Sequence, residues 1–231
     1  MPYRPMLDVP LPKFVQCRPG SSSSIFIPER SHEGDAGHDI RVYIDQPAWN
    51  EEVEERFRAY WSWCQEDYPK HHKHTLAYVM RVNRTPILNL SDNPSLSDLR
   101  AQLVYWENLL RNSKGILVRP GERVVLPAGF KVELPKLPQP WTMYMQIVSR
   151  SGWCAVDRIC VTNSPGIVDY KYRDEVMVSL ENRSMVNHLI LNETRVGQAI
   201  FGLALSCDMR QNQVQDIKPT ERGRHGSTGL S

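Results

Sequence analysis

The stretch with the clearest chemical content runs Asn163-Ser-Pro-Gly-Ile-Val-Asp-Tyr-Lys-Tyr-Arg-Asp-Glu-Val-Met-Val-Ser-Leu-Glu-Asn182. Pro165-Gly166 signals a turn, because glycine can take positive φ where a Cβ would clash. Ile167-Val168 and Val176 to Leu180 are runs of strand formers. The pattern predicts a β-hairpin with Asp169 and Tyr172 at its tip. A carboxylate held there can orient and deprotonate a water. Free backbone N–H and C=O groups beside it can read the polar edge of a flat ring, as a paired strand would. On these residues alone, a charged surface turn with no further role fits equally well.

Other stretches carry complementary chemistry. In Ser149-Arg-Ser-Gly152, Arg150 brings a planar charge, Ser151 a hydroxyl and Gly152 an unobstructed backbone N–H. Together they suit a phosphate and oxyanion cradle. In Gly34-Asp-Ala-Gly-His-Asp-Ile-Arg-Val-Tyr43, small residues permit a tight turn and Asp39 leads into a strand. Asp39 alone could equally bond its own turn. Gln198 lies in a predicted strand, where a single buried amide is the plainer reading. His71-His72-Lys73-His74 offers three imidazoles, but Lys73 intervenes and no carboxylate or Cys stands at ligand spacing, so a solvated polar turn is expected.

The elements that must position these residues follow from patterning. Lys13 to Cys17 and Ile25 to Ile27 read as short edge strands split by a Gly-Ser stretch. Ile116 to Val118, Val124 to Leu126, Gly129 to Leu134 and Trp141 to Val148 are short strands separated by turn residues, a spacing that predicts an all-β sandwich or barrel. Residues 46–114 break the pattern. Asn50 is placed to cap a helix with Glu51 and Glu52 in its first turn and a stripe of Val53, Phe57, Tyr60 or Trp61, and Cys64. Ser95 and Asp98 signal a capping box for a second helix, with Leu99, Leu103, Trp106 and Leu110 as its stripe and Gly115 as its stop. Thr75 to Val82 alternates like a strand. The tail from Asn212 is polar and Gly-rich and reads as a mobile arm.

The chain has 231 residues and 41% hydrophobic content, enough for one ordinary core. A net charge of +2 gives no field that argues for nucleic acid or an anionic membrane. No apolar run approaches the ~18 residues of a membrane span, and the N-terminal residues lack a secretory pattern. Five scattered cysteines without CxxC favour a reducing, cytoplasmic setting and no zinc site.

Five stretches resemble, in order, the motifs of the trimeric deoxyuridine triphosphatases (dUTPases). The 163–175 segment is similar to the third motif, N-x-x-G-[IVLT]-[IV]-D-x-x-Y-[RQ]-G-[EQ], through Asn163, Gly166, Asp169, Tyr172, Arg173 and Glu175, with Asp174 replacing a glycine. Ala36, Gly37, Asp39 and Ile40 match the first motif. Arg150, Ser151 and Gly152 match the second, P-R-S-G, with Ser149 replacing proline. Arg195, Val196, Gly197 and Gln198 match the fourth. Glu221 to Gly229 resembles the fifth, R-G-x-G-G-[FH]-G-S-T-G, two residues short.

The resemblance implies a mainly β, jelly-roll-like fold assembled as a homotrimer, hydrolysing dUTP to dUMP and pyrophosphate with Mg²⁺. It implies a β domain of 1–45 and 115–210, a largely helical insertion at 46–114, and a C-terminal arm of 211–231 that closes the site. It assigns Asp169 to the attacking water, Ser151 to the reacting phosphate, Gln198 to the phosphates or the attacking water, and Arg150 and Gly152 to the phosphate chain. The backbone at Gly166 and Val168, with Asn163, would read uracil, and Tyr172 would pack under the deoxyribose. His225 would stack on the base. Gly226, Ser227 and Thr228 would hold the γ-phosphate, with either Arg222 or Arg224 beside them. Asp39 would hold waters on the magnesium.

Two rivals use the same residues differently. A dCTP deaminase of this fold places a Glu proton carrier where Ser179 stands, with Glu181 two residues on. A binding role would use the insertion as the place for a protein partner.

Overall fold

The computed structural model describes residues 9–66, 80–90 and 94–207. The strands are β1 (Lys13–Gln16), β2 (His38–Arg41), β3 (Met80–Val82), β4 (Thr85–Pro86), β5 (Gly115–Val118), β6 (Arg123–Glu133), β7 (Trp141–Ser149), β8 (Ile159–Val161), β9 (Gly166–Val168), β10 (Glu175–Asn182), β11 (Asn187–Leu191) and β12 (Arg195–Leu205). Helices α1 (Glu51–Glu66) and α2 (Leu96–Arg111) both lie in the 46–114 segment, and a π-turn spans Gly152–Val156. The fold is mainly β and jelly-roll-like.

Three four-stranded sheets are ordered β1-β6-β10-β8, β4-β3-β11-β5 and β2-β12-β7-β9. Alternation fixes which face is buried: in β10, Val176, Val178, Leu180 and Asn182 are buried while their neighbours are more exposed. Val176, Val178 and Leu180 join Phe130, Val132, Met145, Ile147 and Trp153 in one core. The ladder that matters for chemistry is β2-β12-β7. Its register sets Gln198 opposite Asp39 on one side and Val148 on the other, with Gly197 opposite Ser149.

Both predicted helices form with their predicted caps. Asn50 Oδ1 accepts from the Val53 N–H at 3.0 Å. Ser95 and Asp98 make a reciprocal capping box. Leu99, Leu103 and Leu110 of α2 are buried with Val53, Phe57, Tyr60 and Cys64 of α1 in a second core. Leu117 and Leu189 of the β-sheet belong to that core too. Moreover, β3 runs parallel to β11 and extends its sheet. The 46–114 segment is therefore packed into the β structure through both side chains and backbone. The predicted strand at 75–82 is described only from Met80. The 71–74 histidines lie outside the described residues.

Several expectations need correction. Ile25 to Ile27 form turns, not a strand. Phe26 is fully buried there and lies so close to Gly129, whose φ is +75°, that a Cβ on that glycine would meet the ring at 2.4 Å. The runs at 124–126 and 129–134 are not separate strands: one continuous strand, β6, covers them as far as Glu133, and its pairing with β10 shifts register between Pro127 and Lys131. The predicted hairpin of 167–168 and 176–180 does not pair with itself. β9 joins β7, and β10 joins β6 and β8, so residues 169–174 cross between two sheets. Cys154 and Cys160 are disulfide-bonded, with Cα atoms 4.7 Å apart. The intervening π-turn brings them together, which their scatter in sequence did not suggest.

His188 of β11 is fully buried. Burial pushes its imidazole below its ordinary value, with Arg81 adding to the shift and the Asn83 backbone and Asp157 opposing it. A histidine with a depressed folded-state pKa favours the neutral form, so the unfolded chain binds more protons once pH falls below about 6.5. Stability is expected to drop from about pH 7 to pH 5, seen as a falling urea midpoint. His188→Leu is expected to flatten that slope.

Candidate active site

The β2-β12-β7 ladder delivers one carboxylate, two arginines and one amide to a single spot. Asp39 is 3% exposed. Its Oδ1 receives Arg150 Nε at 3.1 Å and Gln198 Nε2 at 3.4 Å. Its Oδ2 receives Arg195 Nη1 at 3.0 Å and Ser31 Oγ at 3.0 Å. Arg150 Nη1 also donates to the Arg195 carbonyl at 3.2 Å. Gly37 makes room for the amide, since a Cβ there would lie 3.0 Å from Gln198 Cδ. Both Asp39 oxygens are thus engaged in anchoring, whereas the resemblance made Asp39 the holder of metal-bound water. In this geometry it is the post on which Arg150 and Gln198 are oriented.

Arg150 leads directly into the π-turn. Ser151 has helical backbone angles (φ −53°, ψ −50°) at its head. The Cys154 N–H bonds the Arg150 carbonyl at 2.9 Å, and the Asp157 N–H reaches the Gly152 carbonyl at 3.4 Å. Such single π-turns are frequent at functional sites. Ser149, which stands where the family has proline, accepts the Val161 N–H on its Oγ at 2.8 Å and so ties the turn to β8. A cavity of about 250 Å³ is lined by Arg150, Ser151, Gly152, Trp153 and Gln198, and by Arg84. The sequence had given Arg84 no role.

Asp169 sits elsewhere. It is exposed and lines a cavity of about 370 Å³ with Tyr144, Gln146 and Ile167. Its carbonyl accepts the Tyr172 N–H at 3.0 Å, closing a tight turn. Tyr172 is half-buried against the core, and its Oη donates to the Glu175 carbonyl at 2.7 Å. Burial, then Asp174 and Glu175, raise its pKa. Arg173 donates to the Tyr170 and Tyr172 carbonyls at 2.6 and 2.7 Å, which stiffens the bend. Glu175 is clamped by Arg18, with Nη2 to Oε2 at 2.7 Å, and accepts the Gly129 N–H at 3.2 Å. Gly166 does not use positive φ. Its value is clearance: a Cβ would lie 3.0 Å from Asn163 Nδ2. Val168 is buried and pairs with Met145.

One chain therefore brings Arg150, Ser151, Gly152 and Gln198 together around one cavity. It places Asp169 on another, with Asn163, Gly166, Val168 and Tyr172 in the same 163–175 segment. The sequence-predicted Arg222, His225, Gly226, Ser227 and Thr228, with the alternative Arg224, lie outside the described residues. The donor set does not fit a resident magnesium ion. Asp39 is already saturated, and no group of three or more His, Cys, Asp or Glu side chains converges among the described residues.

Comparison with known proteins agrees in direction with this arrangement. The dUTPase family model matches residues 110–229. A deoxyuridine 5'-triphosphate nucleotidohydrolase of Treponema denticola is 36% identical over 118 residues, which is 50% of this chain and 77% of that protein. That of Caulobacter vibrioides is 34% identical over 117 residues, 50% of this chain and 71% of that protein. Among solved structures, a dUTPase of Staphylococcus bacteriophage 80alpha bound to dUpNHpp superposes with a TM-score of 0.51 at 14% identity. It covers 95% of this chain and 99% of its own, a likeness of fold. With more than half of its length matched by the family model, and with the second, third and fourth motifs placed as described, the chain belongs to the dUTPase family.

Proposed function

We propose that the protein hydrolyses dUTP to dUMP and pyrophosphate in sites assembled between copies of the chain. The observation that carries this reading is the separation of the two half-sites. The phosphate cradle at Arg150 and the carboxylate at Asp169 line different cavities of one chain, which supports completion of each by another copy. A homotrimer satisfies both. The exposed Trp141, Leu203 and Leu205 on the β7–β12 ladder favour association, since removing apolar surface from water contributes about 25 cal/mol per Å².

In the assembled site Asp169 accepts a proton from water as the oxygen attacks the α-phosphorus in line, and pyrophosphate leaves. Ser151 Oγ and the Gly152 N–H donate to the oxygen on which charge grows. Arg150, held by Asp39, grips the phosphate chain, and Gln198 donates to the reacting phosphate. The backbone at Gly166 and Val168, with Asn163, reads the uracil edge, and Tyr172 packs under the sugar. In the arm at 211–231, His225 stacks on the base. Gly226, Ser227, Thr228 and one of Arg222 and Arg224 receive the γ-phosphate. Mg²⁺ belongs to the substrate in this scheme, arriving on the triphosphate. The segment 46–114 is an insertion in the β domain of 1–45 and 115–210. A cytoplasmic location suits this substrate, and no helix among the described residues is long and apolar enough to cross a membrane.

The deaminase alternative loses support from Ser179 and Glu181. Ser179 Oγ is engaged by Thr162 Oγ1 at 2.7 Å. Glu181 accepts from Arg183 Nε on Oε2 at 2.7 Å and from Arg123 Nη2 on Oε1 at 3.2 Å, so both of its oxygens are already engaged. Turnover of all deoxynucleoside triphosphates with Mg²⁺ tests the reading. Pyrophosphate release confined largely to dUTP is expected. Ammonia release from dCTP, or intact dUTP, would reverse it.

A further inference from the structure

Among the described residues of the 46–114 segment, Arg84 lines the phosphate cradle. Between β3 and β4 the chain turns through Asn83 (φ 53°) and Arg84. This turn is fixed to its neighbours. The Asn83 N–H donates to the Leu189 carbonyl at 2.7 Å, and its Oδ1 accepts the Leu191 N–H at 3.0 Å and Thr194 Oγ1 at 2.9 Å. Arg84 Nε then bonds Asp157 Oδ2 at 2.6 Å, and Arg81 Nη1 bonds the other oxygen. Asp157 is 3% exposed and caps the π-turn that begins beside Ser151.

Asp157 engages only the Nε edge of Arg84. The Nη1 and Nη2 groups lie over Gly152, where a Cβ would come within 3.0 and 3.1 Å of them. Nη2 makes only a long contact, 3.5 Å, to the Gly152 carbonyl. The side chain is 47% exposed and faces the cavity of Arg150, Ser151 and Gln198. Two buried carboxylates each hold two arginines, Asp39 with Arg150 and Arg195, Asp157 with Arg81 and Arg84, and one arginine of each pair, Arg150 and Arg84, lines the cavity. Each group of three keeps one net positive charge. A site built this way is short of anions, and a polyphosphate chain supplies them.

We propose that Arg84 is a second phosphate-gripping arginine, contributed by the insertion and acting beside Arg150 on the phosphates beyond the α position. The proposal deepens the dUTP reading and rests on it for the identity of the ligand. It gives the 46–114 segment a direct part in substrate recognition. Gly152 leaves the guanidinium room, because a Cβ there would press on its Nη groups and ask them to shift by a few tenths of an ångström.

The test is calorimetric binding of α,β-imido-dUTP, dUMP and inorganic tripolyphosphate to the full chain and to Arg84→Gln, Arg84→Lys and Arg81→Gln. Arg84→Gln is expected to weaken α,β-imido-dUTP and tripolyphosphate by about ten- to hundredfold while dUMP changes little. Arg84→Lys is expected to recover part of the loss. Arg81→Gln removes the other partner of Asp157, so it should lower the melting temperature yet keep the preference for triphosphate over monophosphate. Equal loss of dUMP and α,β-imido-dUTP in Arg84→Gln, or no loss of either, overturns the proposal, because a merely structural arginine gives those results. Tripolyphosphate binding that depends on Arg84, in a protein that leaves dUTP intact, would instead sink the substrate reading and keep the anion site.

Discussion

Asp169→Asn lowers kcat for dUTP by about 10²- to 10⁴-fold, while affinity for α,β-imido-dUTP stays within about threefold of the parent. The substitution is nearly isosteric. It leaves the turn intact, because that turn is closed by the Asp169 carbonyl and the Tyr172 N–H, not by the side chain. An amide oxygen can still accept a hydrogen bond from water, but it cannot take the proton. The loss should therefore fall on the chemical step and not on binding. Pyrophosphate release measured beside equilibrium binding checks both halves. A variant that cleaves at parental speed would remove Asp169 from the mechanism.

The second large effect is expected at Asp39. Asp39→Ala leaves Arg150 and Arg195 without their shared carboxylate and frees the Gln198 amide. Removing one partner of a buried ion group commonly costs about 3–5 kcal/mol. Here Arg150 and Arg195 are 26% and 43% exposed and can turn to water, so a loss of about 2 kcal/mol is the better expectation. The functional loss should be larger in proportion. With Arg150 free to swing, kcat/KM for dUTP should fall by about 10²-fold, since small misplacements of a positioning group cost that much. Urea unfolding and steady-state kinetics separate the two. If anchoring the arginines is the whole part of this carboxylate, the concentration of Mg²⁺ giving half-maximal rate should not move. A marked shift in that midpoint would restore the metal-linked role that the motif resemblance assigned.

What could be read from the chain beforehand was whatever depends on near neighbours. The caps at Asn50 and Ser95 are local, and both form as their spacing predicts. Strand-forming runs were visible for the same reason, but strand partners were not. Ile167-Val168 and Val176 to Leu180 looked like two arms of one hairpin because they are close in sequence. Which sheet each joins is decided by β7 and β6, and a period of two says nothing about that. Ile25 to Ile27 carried strand-like residues, yet burial of Phe26 against Gly129 fixed a turn instead. Of the candidate site, Arg150, Ser151 and Gln198 were legible through motif order, and the structure sets them around one cavity. Arg84 was not legible at all. It belongs to no motif, and it reaches the cavity only because β3 lies alongside β11, far along the chain. The bonding of Cys154 to Cys160 was hidden likewise, since it needs the π-turn between them.

The sheet β4-β3-β11-β5 shows a further role for the 46–114 segment. Without β3, one margin of β11 would present a row of bare amide and carbonyl groups, a ready template for stacking against other chains. The 46–114 segment covers that margin with β3, and the sheet's edge on that side is β4, only Thr85–Pro86, whose proline has no N–H to offer a newcomer. The same segment that brings Arg84 to the phosphates thus shields the protein from edge-on polymerisation.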